Sequence, residues 1–223
     1  DMVVWDVKEV TENSIVFFYL RPHGQDGMPG NLAITMTYTL TPENEFKVDY
    51  KATTDQSTHV NISHHSFFNL KGEGNGTIED LVMVINASAI TPVNEVLIPS
   101  GEIADVTGTP FDFRMPHTIG ERINAENEQL IFGRGYDHNW VIDRAGDGVV
   151  FAAMVYEAQS GRMMSVYTDQ PGMQFYSGNF FDGSSKGKYG KALRFRESIA
   201  LETQMFPDTP HHDHFPSTLL NPG

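Results

Sequence analysis

Leu32-Ala33-Ile34-Thr35-Met36-Thr37-Tyr38-Thr39-Leu40, then Thr41-Pro42-Glu43-Asn44, then Phe46-Lys47-Val48-Asp49-Tyr50-Lys51-Ala52: this stretch decides the fold class. Leu32, Ile34, Met36, Tyr38 and Leu40 alternate with Ala33 and three threonines, and Phe46, Val48, Tyr50 and Ala52 alternate with Lys47, Asp49 and Lys51. Successive side chains leave a strand on opposite sides, so a period of two marks strands that turn one face to a core. Pro42 and Asn44 make the residues between the runs a turn, and the pair reads as an antiparallel hairpin.

Runs of the same kind recur at 15–20, 59–65, 81–87, 149–156 and 163–168, each bounded by Gly, Pro, Asn or Asp clusters. The Gly- and Pro-rich stretch 21–30 reads as a hairpin connection. A helical pattern is confined to one short segment, at 119–125 or 125–131, inside a long connection from Thr91 to Tyr136. The expectation is an all-β fold of many short strands, a large sandwich or barrel, with 1–223 as a single domain because no compositional seam divides it.

With 29 acidic against 15 basic residues the net charge is −14, which repels phosphate backbones and anionic lipid surfaces. Nucleic-acid and membrane partners are therefore not expected, and a neutral small molecule fits better. The chain holds no cysteine, which excludes thiol nucleophiles, disulfides and thiolate metal ligands. No apolar run approaches the roughly 20 residues that span a bilayer. Asp1-Met2-Val3-Val4-Trp5 has neither a basic nor an apolar leader region and opens in mid-pattern, so natural sequence upstream is expected.

Near the other end, 198–205 alternates Ile199, Leu201, Thr203 and Met205 with Ser198, Ala200, Glu202 and Gln204, and the run stops at Pro207. One carboxylate on a small, polar face beside an apolar one reads as the wall of a binding cleft, and Glu202 is the candidate catalytic base. The bland alternative pairs Glu202 with Arg194 or Arg196. In Asn61-Ile62-Ser63-His64-His65-Ser66-Phe67-Phe68-Asn69-Leu70, alternation sets His65 with Phe67 and points the two histidines apart, so one imidazole beside an aromatic ring is suited to donate a proton, and a structural histidine is the equal alternative from this stretch alone. Gly133-Arg134-Gly135-Tyr136-Asp137-His138-Asn139-Trp140 and the 167–180 segment, with Gln174, Tyr176 and Phe180, mix aromatic, amide and carboxylate groups as sugar recognition does. His211-His212-Asp213-His214 has the look of a metal pair, but its loop setting and the missing third ligand favour a polar loop, and no metal is expected.

Taken in order, these segments resemble the aldose 1-epimerase (galactose mutarotase) family. The resemblance is carried by Asp26-Gly27-Met28-Pro29-Gly30-Asn31-Leu32, 61–70, Thr91-Pro92-Val93 with Ile98-Pro99-Ser100-Gly101, and Thr109-Pro110-Phe111-Asp112-Phe113. Gly135-Tyr136-Asp137-His138-Asn139, Gln170-Pro171-Gly172-Met173-Gln174-Phe175-Tyr176 with Gly178-Asn179, and Glu202-Thr203-Gln204 through Pro222-Gly223 continue it. It implies a β-supersandwich, here incomplete at its N-terminus, and cofactor-free exchange of the α and β anomers of free hexoses such as galactose and glucose. By motif match Glu202 is the base at the anomeric hydroxyl, His65 the acid at the ring oxygen, and Asp137 and Gln174 bind the sugar. The family also implies an upstream segment of about 100 residues, carrying a His-Gly-Gly motif and a substrate-binding arginine; Asp1 and Trp5 resemble the residues that follow it. That segment is the one macromolecular partner expected. A sugar-binding module without catalysis and a two-carboxylate glycosidase built on Glu202 and Asp137 are the competing classes.

Overall fold

The computed structural model describes residues 3–223; Asp1 lies outside them. In chain order the strands are β1 (Asp6–Val10), β2 (Ser14–Arg21), β3 (Leu32–Leu40), β4 (Phe46–Thr54), β5 (Thr58–His59) and β6 (Phe67–Phe68). They continue with β7 (Val82–Ile85), β8 (Ala87–Thr91), β9 (Ala104–Asp105), β10 (His117–Thr118), β11 (Asp137–Ile142) and β12 (Val150–Tyr156). Last come β13 (Met163–Thr168), β14 (Gly172–Tyr176), β15 (Asp182–Lys186), β16 (Ala192–Arg194), β17 (Ile199–Gln204) and β18 (Leu219–Leu220). Apart from 3-10 turns, the one helix among the described residues is α1 (Glu128–Gly133). The chain is all-β, as its periodicity requires.

It divides into two compact units, one running to Ile62 and taking back Thr218–Gly223, the other Ser63–Ser217. In the first, β1-β2-β3-β4 form an antiparallel sheet and β5 pairs with β18. The β3–β4 register sets Leu32 opposite Thr54 and Leu40 opposite Phe46, and Asn44 takes the left-handed turn conformation with φ 63°. In the second unit a four-stranded sheet, β10-β7-β12-β13, and a six-stranded sheet, β6-β17-β14-β11-β8-β9, share one core. Met83, Ile85, Ala153 and Val155 come from the smaller sheet, and Ile90, Trp140, Met173, Phe175, Ile199 and Leu201 from the larger.

An aromatic cluster lies at the centre of that core. Tyr136 and Phe175 stack at 5.2 Å, Trp140 lies 5.7 Å from both Phe111 and Phe175, and its indole N–H donates to the Phe111 carbonyl at 3.1 Å. Trp140 is fully buried, and its one polar atom is satisfied, as a buried indole requires.

Three expectations change at the level of elements. The run 59–65 is not a strand: only Thr58–His59 pairs, and 60–66 is irregular, its polar side chains finding partners outside any ladder. Ser63 Oγ donates to the Thr203 carbonyl at 3.0 Å, and His64 Nε2 lies 2.9 Å from Ser66 Oγ, so Ser and His groups compete with a ladder. The run 81–87 breaks at Asn86, where the chain passes from the smaller sheet to the larger. There the Asn86 amide donates to both the Asp143 and Phe151 carbonyls at 3.0 Å. The helical turn is displaced to Glu128–Gly133, with 119–121 only a 3-10 turn; Asn127 caps it by accepting from the Gln129 N–H, and Arg134 in the left-handed region ends it.

Two consequences are measurable. Trp140→Ala empties the centre of the core and is expected to cost about 3–5 kcal/mol in chemical denaturation. Gly178, with φ +72°, has no room for a Cβ, which would stand 2.6 Å from the Ser198 carbonyl oxygen. Gly178→Ala is accordingly expected to lower the stability to chemical denaturation, whereas Ala at the open position Gly148 leaves it within about 1 kcal/mol of the parent.

Candidate active site

Register builds the site. β17 pairs with β14 so that Glu202 faces Gln174 and Ala200 faces Tyr176; β14 pairs with β11 so that Gln174 faces Asn139 and Tyr176 faces Asp137. Residues directly opposite in an antiparallel pair share a face. The face opposite to Trp140 and Phe175 therefore carries two neighbouring rows, Glu202–Gln174–Asn139 and Ala200–Tyr176–Asp137. β6 extends the second row by setting Phe67 opposite Ala200.

His65, two residues before Phe67, returns over this face. Its Nε2 lies 3.2 Å from Glu202 Oε1, and its ring lies 4.9 Å from Phe67 and 6.4 Å from Tyr176. The alternation argument thus holds for His65, although the segment is irregular: His65 keeps company with Phe67, and His64 with Ser66. Glu202 does not pair with an arginine. Arg196 bonds Glu79 at 2.9 Å instead, and Arg194 lies in the two-stranded β15-β16 sheet.

His65, Phe67, Asp137, Tyr176, Phe180, Phe181 and Glu202 line an open cavity of about 290 Å³, at the lower end of small-molecule sites, about 300–1,000 Å³. Gln174 donates its Nε2–H to Asp137 Oδ1 at 2.9 Å. Tyr176 and Phe180 stack with planes 8° apart, and the Phe180 N–H donates to the Tyr176 phenol oxygen at 2.9 Å. Aromatic faces of this kind offer flat apolar surfaces to a ligand. Phe181 carried no signal in the sequence. It joins the wall because Gly178 turns the chain back after β14, packing Phe181 against Phe67 at 5.0 Å.

Asp137 is held at the mouth of β11 by groups on the opposing turn. Ser177 Oγ accepts from the Tyr136 N–H at 3.0 Å and donates to Asn179 Oδ1 at 2.7 Å. The Asn179 amide donates to the Gly133 and Tyr136 carbonyls at 2.8 and 2.9 Å. Gly135 is required there, since a Cβ would stand 2.6 Å from Asn179 Oδ1. Behind Asp137, His138 is fully buried and accepts the Asp137 N–H on Nδ1 at 3.1 Å; burial pushes its pKa down to about 4, so the imidazole is neutral.

The electrostatics follow from two carboxylates facing one cavity. Burial raises the Glu202 carboxyl above the usual carboxylate range; the His65 charge offsets part of this, and Asp137 adds to it. Burial likewise raises Asp137, against the hydrogen bond from Gln174 and the charge of His65. His65 is thus the group that faces the half-buried Glu202 carboxylate. The His211–His214 segment belongs elsewhere: His214 Nε2 lies 2.7 Å from the Gly101 carbonyl oxygen and His211 Nδ1 lies 2.5 Å from Asp208. Among the described residues no group of three or more His, Asp or Glu is arranged to hold a metal ion.

Comparisons with known proteins give the family of the chain. A family model described as aldose 1-epimerase matches residues 1–223. Galactose mutarotase from Sus scrofa is 44% identical over 223 residues, 100% of this chain and 63% of that protein. Aldose 1-epimerase from Escherichia coli (strain K12) is 36% identical over 222 residues, 98% of this chain and 63% of that protein. The crystal structure of an aldose epimerase homologue from C. elegans superposes with a TM-score of 0.87 at 28% identity, covering 98% of this chain and 64% of that one. Galactose 1-epimerase from Lactobacillus acidophilus NCFM gives 0.84 at 28% identity, covering 99% and 63%. The chain thus spans 63% of the length of the two curated relatives. Matched along its whole length by the family model, and sharing the galactose mutarotase-like β fold of its structural neighbours, the chain belongs to the aldose 1-epimerase family.

Proposed function

We propose that this site interconverts the α and β anomers of a free hexose, galactose or glucose, by acid–base opening and reclosure of the ring. The observation that carries the reading is the His65–Glu202 pair, 3.2 Å apart within an aromatic-walled cavity. Ring opening of a cyclic hemiacetal needs a base at O1 and an acid at O5 at the same time, and these two groups supply both within one sugar's width.

In the forward step the Glu202 carboxylate takes the O1 proton, the C1–O5 bond breaks with its electrons going to O5, and the His65 imidazolium protonates O5. The open-chain aldehyde rotates about C1–C2. O5 then attacks the other face of C1 while neutral His65 takes back its proton and the Glu202 carboxyl returns one to O1. Protons and charges balance over the cycle, so the chemistry calls for no cofactor. Asp137, oriented by Gln174, accepts sugar hydroxyls and resists rotation of the bound ring, while the exposed faces of Phe67 and Phe180 cover its C–H patches.

One observation favours a second reading. Asp137 and Glu202 line the same cavity, as a hydrolase with two acidic groups requires. Against it, His65 stands on Glu202 and supplies an acid that such a mechanism does not use.

Polarimetry of freshly dissolved α-D-galactose and α-D-glucose tests the proposal. Glu202→Gln is expected to abolish acceleration, a loss of about 10²–10⁴-fold, and no nitrophenol should be released from aryl glycosides. A folded chain that binds galactose by calorimetry without accelerating its mutarotation would identify a binding module instead.

The raised Glu202 pKa adds a pH signature. The base form is lost as pH falls, so kcat/KM should decline at a pH above the ordinary glutamate value of about 4.3. For stability the sign is opposite. A carboxyl that holds its proton to higher pH when folded stabilises the fold at low pH, and that contribution is lost as pH rises through the folded pKa. Glu202→Gln removes this neutral-pH cost, so its melting temperature at pH 7.5 is expected to equal or exceed that of the parent.

A further inference from the structure

The row through Glu202 continues past Gln174 into the protein. Asn139 faces Gln174, and Thr91 on β8 faces Asn139, so Thr91, Asn139, Gln174 and Glu202 lie side by side on four adjacent strands. Thr91 is 0% and Asn139 1% exposed. Four of their polar atoms are buried with no hydrogen-bond partner among the described residues: Thr91 Oγ1, both Asn139 amide atoms and Gln174 Oε1. Buried polar groups are costly to leave unpaired, and a run of them beside a reacting carboxylate calls for an explanation.

The four atoms are complementary in the order in which they stand. The Thr91 hydroxyl can donate to the Asn139 carbonyl oxygen and the Asn139 Nδ2–H to the Gln174 carbonyl oxygen, two bonds that are not closed in the structure. Gln174 Nε2 already donates to Asp137 Oδ1 at 2.9 Å. Cross-strand partners have Cβ atoms about 4.5–5.5 Å apart, within reach of a small side-chain rotation or one bridging water. With those bonds closed the row would be a directional chain, Thr91 to Asn139 to Gln174 to Asp137, whose last link, Gln174 to Asp137, is already made. It would also fix the sense of the Gln174 amide, because a half-turn would set Oε1 against the Asp137 carboxylate. Gly172 reserves the space beside the row: a Cβ there would stand 2.4 Å from Asn139 Oδ1.

We propose that Asn139 and Thr91 are positioning residues, which hold Gln174 in the one amide orientation that presents Asp137 to the sugar. The proposal rests on the epimerase reading for its catalytic consequence, but the row itself can be tested without a sugar. Side-chain amide NMR of the parent, Asn139→Leu and Thr91→Val follows solvent exchange of the Gln174 Nε2 protons, with the Trp140 indole proton as the internal reference for global loosening. Asn139→Leu is expected to speed Gln174 exchange at least about tenfold while leaving Trp140 unchanged, and the isosteric Thr91→Val to do so by a smaller factor. In mutarotation both variants should raise KM with little change in kcat, as lost ground-state binding does. Unchanged Gln174 exchange in both variants, or equal acceleration at Gln174 and Trp140, would overturn the proposal. A parent chain without mutarotase activity would instead overturn the epimerase reading, and the amide exchange would still decide the row.

Discussion

The ladder that joins β14 to β17 on one side and to β11 on the other is the constraint on which the site depends. Side chains alternate with a period of two, so a slip of one residue would carry Glu202, Gln174 and Asp137 into the core and bring Leu201, Phe175 and His138 to the cavity. The aromatic cluster of Tyr136, Trp140 and Phe175 forbids that slip, because those large side chains fit only the space between the two sheets of the second unit. The same packing that stabilises the sheet therefore sets the spacing of the reactive groups. Their precision comes from strands, while the group most exposed to solvent, His65, comes from an irregular segment that closes over them.

Electrostatics sets the second condition. A chain of net charge −14 that gathers two carboxylates in one half-buried cavity works against both Coulomb repulsion and desolvation. His65 on Glu202 and Gln174 on Asp137 offset that cost without neutralising it, so both carboxyls remain raised. A carboxylate with a raised pKa holds protons more tightly, which suits the proton abstraction proposed for Glu202. The burial that raises both carboxyls is poor for stability and suits the proposed proton transfer.

Much of this is legible in the residues themselves. The hairpin of β3 and β4 follows from alternation and from Pro42 and Asn44; Glu202 stood out as a lone carboxylate on a small polar face, and His65 parted from His64 by the same parity. Other features are not local. The run 59–65 has strand-like residues, yet only Thr58–His59 finds a partner strand, and Ser63 and His64 bond elsewhere. The 81–87 run reads as one strand, and nothing in it shows that Asn86 changes sheets; that is decided by carbonyls of Asp143 and Phe151, more than 50 residues away. Phe181 and Asn139 acquire their places only through a turn at Gly178 and a cross-strand register.

By itself, then, the sequence determined the all-β class, the face on which each strand residue lies and the chemical groups available to the site, since parity and side-chain chemistry are local properties. Tertiary structure decided which strands are neighbours, that His65 rather than Arg194 or Arg196 meets Glu202, and that Asp137 is held by Gln174. Those pairings join residues 37 to 137 positions apart. They are selected by burial of a shared core and by hydrogen-bond satisfaction across strands, which no local pattern encodes.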